Sequence, residues 1–155
     1  MNCRITKEKC RIFLDLGRMP LANGFLKTKD FKHEYFFKLQ VAFSRSLNLV
    51  QLVINPKPKK MFNKHYPFYT SSSKFMVSHF KHYSDWIKKK FIKKEGSILE
   101  IGSNDGTFLS NFKDYFGIGF EPSKSVHSKA ISNKVKSINK FFNSINIKTL
   151  IKKET

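Results

Sequence analysis

Between Ser97 and Ser123 the chain reads SILEIGSNDGTFLSNFKDYFGIGFEPS, and this stretch constrains the fold more than any other. Ser97 to Ile101 is a short apolar run with the length of a buried strand, and Gly102 to Gly106 is a turn. Thr107 to Phe116 places Phe108, Leu109, Phe112 and Phe116 on or near one face, which predicts a helix. Gly117 to Glu121 reads as a second strand, Lys124 to Ser132 as a second helix, and Val135 to Ile138 as the opening of a third strand. Alternation of this kind builds a parallel sheet with helical crossovers, so the expected class is α/β.

Composition divides the chain near Gly96. Upstream, Phe36 to Phe43 and Leu47 to Ile54 read as strands, and Gly17, Pro20, Asn23, Gly24, Pro56 and Pro58 break the apolar stretches around them. This is the pattern of a small β-rich module. From Ser78 to Lys94 the period changes: Phe80, Tyr83, Ile87 and Phe91 recur at helical spacing with Trp86 beside them, while Lys81, Lys88 and Lys89 fall elsewhere on the wheel. Ser78 suits the N-cap, Lys93 and Lys94 the last turn, where the helix dipole favours cations, and Gly96 the left-handed position after it. The expected organisation is a module at 1–77, a linking helix at 78–95 and the start of a second domain at 96–155.

A net charge of +19 raises the question of an anionic partner. The positive side chains are mostly Lys rather than Arg, the better bidentate reader of phosphates and guanines, and they spread from Lys7 to Lys153. A compositional bias toward Lys, Asn, Ile and Phe accounts for that distribution better than nucleic-acid binding does. With 17 Phe there is ample apolar material for a core, so pervasive disorder is not expected. The N-terminus lacks the apolar segment of a secretory signal, and the longest apolar stretch, Leu47 to Ile54, is too short to span a bilayer. A soluble cytoplasmic protein without membrane contact is the expectation. Cys3 and Cys10 are too few for a disulfide framework, and their spacing fits none of the usual metal patterns.

The chemistry concentrates in LEIGSNDGTFL and GIGFEPS. In doubly wound folds a strand delivers the chain to the carboxyl edge of the sheet, and a glycine turn there lets a ligand approach the backbone. A second strand then ends in an acid that accepts hydrogen bonds from ribose hydroxyls. Gly102 and Gly106 frame the turn, and Glu121 follows Glu100 by 21 positions. The turn departs from G-x-G-x-x-G and fits better the E/D-x-G-x-G-x-G turn of class I methyltransferases, read as Glu100, Gly102, Asn104 and Gly106, with Asn104 in place of the middle glycine. S-adenosylmethionine (AdoMet) has no phosphate, so acids near the turn are useful: Glu100 and Asp105 can face its sulfonium and amino groups. Taken alone, two glycines around a turn more often have only a structural role.

EIGSNDGTFL, GFEPS and SINKFFN (137–143) together resemble the C-methyltransferase family that modifies nucleotide-linked deoxysugars, whose members carry an N-terminal zinc-binding-type module. FLDLGRMPLANGFL (13–26), LNLVQL (47–52) and YPFYTSSSKFMVSHF (66–80) are similar to that module and to the segment after it. The resemblance implies a Rossmann-like class I methyltransferase domain after a β-rich module. It implies AdoMet held by Glu100, Gly102, Ser103, Asn104, Asp105, Gly106 and Glu121, with a nucleotide sugar as substrate. It also implies that Tyr66 and Tyr69 face the sugar, where a hydroxyl orients a keto-sugar or assists proton removal; ordinary aromatic packing is the equal alternative. The family's reaction is C-methylation, in which an enolate attacks the AdoMet methyl.

The pattern breaks in two places. Of the four zinc-ligand positions that the resemblance implies, Cys3 is retained, whereas Thr6, Ser44 and Leu47 stand at the other three. One thiolate cannot hold a tetrahedral structural zinc, and neither Cys10 nor His33 has the required spacing, so a zinc-free module is expected. Only 49 residues follow Gly106, so the domain is expected to be an incomplete first β-α-β-α-β part without the family's catalytic base. A partner chain supplying the rest, a non-catalytic remnant and a basic nucleic-acid-binding protein or methyltransferase are the alternatives. His65, His79 and His82 read as surface or packing residues, as do Asp85 and Trp86. The assignment requires Glu121 to lie beside the glycine turn and residues 97–121 to run strand, helix, strand.

Overall fold

The structure, a computed structural model, describes residues 1–92 and 96–148, and the chain divides into two compact units, Met1–Met61 and Phe62–Thr155. The division falls earlier than the boundary expected at residue 77, because the 62–73 segment hydrogen-bonds within the second unit.

The first unit is an antiparallel three-stranded sheet in the order β1 (Arg11–Pro20), β2 (Phe36–Ser44), β3 (Leu49–Leu52). Sequence patterning misses β1 because Gly17 and Pro20 look like breaks. Instead the pairing with β2 shifts register between Asp15 and Arg18, Gly17 adopts a φ of 71°, and its N–H donates to Asp15 Oδ1 at 2.9 Å. A bulge built on a left-handed glycine keeps the strand going, and an edge strand tolerates the terminal proline. β3 is shorter than the expected Leu47 to Ile54, since Asn48, at φ 49°, closes the turn from β2. The core is small: Cys3, Cys10 and Ala42, with Met1 and Val53 packed against them. A four-residue helix, α1 (Pro58–Met61), ends the unit.

In the second unit α2 (Lys74–Lys90) begins before Ser78. Ser73 is the N-cap, its hydroxyl accepting from Met76 N–H at 3.2 Å. From its apolar stripe Phe80 and Tyr83 lie at ring-centroid distances of 5.5 and 5.7 Å from Phe108, while Tyr83, Trp86 and Phe91 keep much of their surface exposed. The helix ends at Lys90, with Phe91 as C-cap and Lys88, Lys89 and Lys90 in its last turn, so it stops short of the end expected at residue 95; Lys93 and Lys94 themselves lie outside the described residues. Then comes a parallel sheet, order β4 (Ser97–Ile101), β5 (Phe116–Phe120), β6 (Ser137–Ile138), with α3 (Lys124–Ser132) crossing between β5 and β6. Buried Leu109, Phe112, Ile118, Phe120, Val126, Ala130 and Val135 form its interior.

The β4–β5 crossover corrects one expectation. The helix read over Thr107 to Phe116 is a series of turns with a single 3-10 turn at Leu109–Asn111. Ser110 Oγ donates to the Thr107 carbonyl at 2.9 Å, and Asn111 Nδ2 donates to the Thr107 and Phe108 carbonyls at 3.0 and 3.1 Å. Serine and asparagine offer the backbone local alternatives to a helical ladder, and here they prevail over the apolar period. No helix among the described residues is long and apolar enough to cross a membrane.

α3 ends in a Schellman arrangement. Val135 N–H reaches the Ala130 carbonyl and Lys134 N–H the Ile131 carbonyl, at 3.0 and 2.9 Å, while Lys134 holds φ at 60°. This left-handed position ordinarily takes glycine. Lys134→Gly is expected to stabilise the protein by about 0.5–1 kcal/mol, seen as a higher urea midpoint at unchanged slope.

Candidate functional site

β4 and β5 pair in parallel from Ser97↔Phe116 to Ile101↔Phe120, so both strands deliver their carboxyl ends to one edge. There Gly102 N–H and Ser103 N–H donate to the Phe120 carbonyl at 2.8 and 3.1 Å, which docks the glycine turn against the end of β5. Gly119 lies beneath that turn. A Cβ on it would strike the hydroxymethyl of Ser103, so close packing requires glycine there.

Glu121 follows β5 and is 5% exposed. Its Oε2 accepts from Asn104 N–H at 3.0 Å and its Oε1 from Ser123 N–H at 2.7 Å. The acid and the turn are therefore in direct contact, as the assignment requires. The crossover helix that it also required is absent, yet the acid is placed without it, because the parallel register of β4 and β5 sets where both strands end.

Gly102 has φ 74°, Asn104 φ 50° and Gly106 φ 79°. Asparagine tolerates this region because its short amide can bond locally, and Asn104 Oδ1 accepts from Asp105 N–H at 2.9 Å. The two glycines differ in what surrounds them. A Cβ on Gly106 would meet Val135 Cγ2 at 2.8 Å, whereas one on Gly102 meets nothing within 4 Å. Gly106 is a packing residue; Gly102 faces open space.

That space is a cavity of about 290 Å³ walled by Phe62, Tyr66, Gly102, Asn104, Glu121 and Phe141, with Ile101, Phe120, Pro122 and Phe142 completing it. Open α/β sheets bind ligands at this place, outside the carboxyl ends of the strands. Of these, the turn motif in the sequence names Gly102, Asn104 and Glu121, and the family resemblance names Tyr66. The sequence misses Phe62, whose ring lies 5.7 Å from that of Tyr66, and Phe141, whose ring lies 6.3 Å from that of Phe62, because an aromatic wall leaves no periodic signature in loops. Tyr69 is not among the lining residues, and His65, His79 and His82 are exposed.

Several polar groups at the turn lack partners among the described residues: Glu100 Oε2, Ser103 Oγ and Ser123 Oγ are buried and unbonded. Buried polar atoms in that state are expensive, and a ligand that bonds them removes the cost. Burial first, then the charges of Asp105 and Glu121, push the Glu100 carboxyl up to about 8. Asp105 behaves oppositely. Burial raises it, but donors from Ser71 and Thr107 outweigh that and hold it below the usual carboxylate value. Its Oδ2 accepts from Ser71 N–H at 2.9 Å and its Oδ1 from the Thr107 hydroxyl at 2.6 Å, so its oxygens fasten the chain around the turn.

In the first unit the positions tied to zinc by resemblance form a different cluster. The Thr6 hydroxyl, the backbone of Thr6 and Ile5, and the Ser44 hydroxyl hold the Cys3 thiol down to about 6 against the opposing effect of burial. Cys10 Sγ accepts from Gln51 Nε2 at 3.1 Å. Leu47 is 40% exposed and carries no donor atom. Among the described residues no three His, Cys, Asp or Glu side chains gather into a group that could hold a metal ion. The donor set does not fit a tetrahedral zinc.

Residues 3–62 match the profile of Methyltransf_13, a family described as "Putative zinc binding domain". The match coincides closely with the first compact unit, which is thus similar to a methyltransferase-associated domain. No curated protein matches the chain.

The two turn glycines give opposed expectations. Gly106→Ala combines backbone strain with a clash on Val135 and should cost about 2 kcal/mol or more. Gly102→Ala carries the strain alone, about 1–2 kcal/mol, and should leave the chain folded with a smaller cavity; urea titration of both variants compares them. Glu100 adds a pH dependence. Its folded value of about 8 exceeds the ordinary 4.5, so the native state holds the extra proton between these values. The contribution of Glu100 to stability should accordingly be complete below pH 4.5 and be lost as pH rises toward 8, and Glu100→Gln should flatten the slope over that range.

Proposed function

We propose that the second unit contributes one part of an AdoMet site and that the protein is related to methyltransferases acting on carbon atoms of nucleotide-linked sugars. The observation that carries the proposal is the contact of Glu121 with the backbone of Asn104 beside a cavity at the carboxyl ends of two parallel strands. Glu121 would take the ribose hydroxyls through the lone pairs its two backbone bonds leave free. Gly102 would let the methionine end approach the backbone, and Ser103 Oγ and Glu100 Oε2, both without partners, would meet its polar groups. The bound cofactor supplies an electrophilic methyl on a sulfonium. This chain's residues bind and orient it: Asn104, Asp105 and Gly106 hold the turn, and Tyr66 stands at the mouth on the side open to a sugar. The same reading takes the first unit as a zinc-free member of its type, with Cys3 bonded to Thr6 and Ser44 where a metal would sit.

One observation favours a second component. β4 pairs only with β5 among the described residues, and Leu99 and Ile101 on it are 46% and 61% exposed. Parallel strands are ordinarily covered, so a further strand laid along β4, from a partner chain, would complete the sheet and the site. Nucleic acid stays outside the proposal, since the phosphate-free turn is what the carboxylates suit.

The test is calorimetry of the full chain with AdoMet in two buffers of different ionisation heat at pH 7. Cation binding beside Glu100 favours its charged form, so binding should release a proton, and Glu100→Gln should abolish the release. Absence of binding, or binding without a proton released by the wild type, would count against this assignment.

A further inference from the structure

The segment from Tyr66 to Ser71 belongs to no regular element except a 3-10 turn at Thr70–Ser72, yet it delivers Tyr66 to the wall of the cavity. It is fastened at three points. Ser125 Oγ, at the start of α3, donates to the Tyr66 carbonyl at 3.1 Å. Asn104 grips the middle from both sides of its amide: Nδ2 donates to the Phe68 carbonyl and Oδ1 accepts from Thr70 N–H, each at 2.9 Å. Asp105 Oδ2 accepts from Ser71 N–H at 2.9 Å. Tyr66 is thereby held between the rings of Phe62 and Phe68, at 5.7 and 5.6 Å, facing into the cavity beside Glu121.

Asn104 thus has two separate tasks. Its backbone N–H holds the Glu121 carboxylate, and its side chain holds the strap that carries Tyr66. A glycine, which the turn would accept conformationally at φ 50°, would keep the first task and lose the second. The residue is therefore not explained by the turn alone.

We propose that Asn104 is a positioning residue whose amide latches the 66–71 strap that carries Tyr66 into the ligand cavity, so that one residue, through its backbone and its side chain, sets both the acid and the aromatic ring beside it. The proposal rests on the second unit's cavity being a ligand site, and it deepens that reading by assigning the strap to it. The latch transmits position through short, rigid steps: amide to Thr70 N–H and Phe68 carbonyl, then along the backbone to Tyr66. Because Glu121 bonds the same residue's backbone, a ligand that engages Glu121 tightens the turn from which the strap hangs. The residues expected to feel the latch without touching Asn104 are Tyr66 and Phe62.

Amide hydrogen exchange on the full chain tests the latch directly. The wild type should protect Thr70 N–H, and Asn104→Gly should speed its exchange about tenfold, since about two hydrogen bonds to the strap are lost, while Gly119 N–H, bonded to the Lys136 carbonyl, stays unchanged. Asn104→Asp keeps the acceptor for Thr70 and should restore much of that protection. In the same samples AdoMet affinity should fall about tenfold in Asn104→Gly and recover partly in Asn104→Asp. Unaltered Thr70 exchange in Asn104→Gly would overturn the latch. Accelerated exchange with unaltered AdoMet affinity would overturn its role in the site. If the wild type binds no AdoMet, the cofactor assignment fails by itself, and the exchange measurement still decides the latch.

Discussion

The carboxylate of Glu121, buried at the end of β5 and bonded to two backbone N–H groups, is the interaction on which the second unit is organised. A buried carboxylate is costly unless its lone pairs are occupied. The chain meets that requirement with Asn104 N–H from the turn and Ser123 N–H from the residue before α3, so the acid links the ends of two strands and the start of a helix. Asn139 Nδ2 adds bonds to the carbonyls of Glu121 and Pro122 at 2.8 and 3.0 Å, tying in the residue just past β6. The glycine turn, the start of α3 and the residue after β6 are thereby gathered around one end of β5.

The turn beside it is held by complementary means. Gly106 is glycine for want of space against Val135, Gly119 for want of space beneath Ser103, and Gly102 for its φ alone, with its open side toward the cavity. Asp105 and Asn104 spend their side chains on the neighbouring strap, which makes the 62–73 segment part of the second unit. Three carboxylates crowd the turn, and they diverge: Glu100, without a partner for Oε2, is pushed up, while Asp105, richly bonded, is held down. Groups so separated by their surroundings mark places where charge has a use.

The first unit, which matches a family described as "Putative zinc binding domain", is held by few buried side chains. Its core is thin, and β1 is exposed along its whole length. At the positions where the family resemblance puts zinc ligands, hydroxyl and backbone donors surround the Cys3 sulfur.

How much was legible beforehand follows from which forces are local. The strands at 97–101 and 117–121, the packing helix, the turn at 102–106 and its closing acid were all readable, because apolar runs, glycines and spacing carry their own physical meaning. β1 was not, since a glycine bulge and an edge proline look like breaks until a partner strand is present. Nor was the absence of a crossover helix, decided by Ser110 and Asn111 bonding their own neighbours' carbonyls against the apolar period. The sequence by itself determined the strand–turn–strand order around Gly102 and the residue types gathered at the sheet edge. Only the tertiary structure decided that Asn104 and Asp105 reach back over thirty residues to Phe68, Thr70 and Ser71, and that Phe62 and Phe141 wall the cavity. Such contacts depend on where separate segments meet in space, and no periodicity along one segment encodes that meeting.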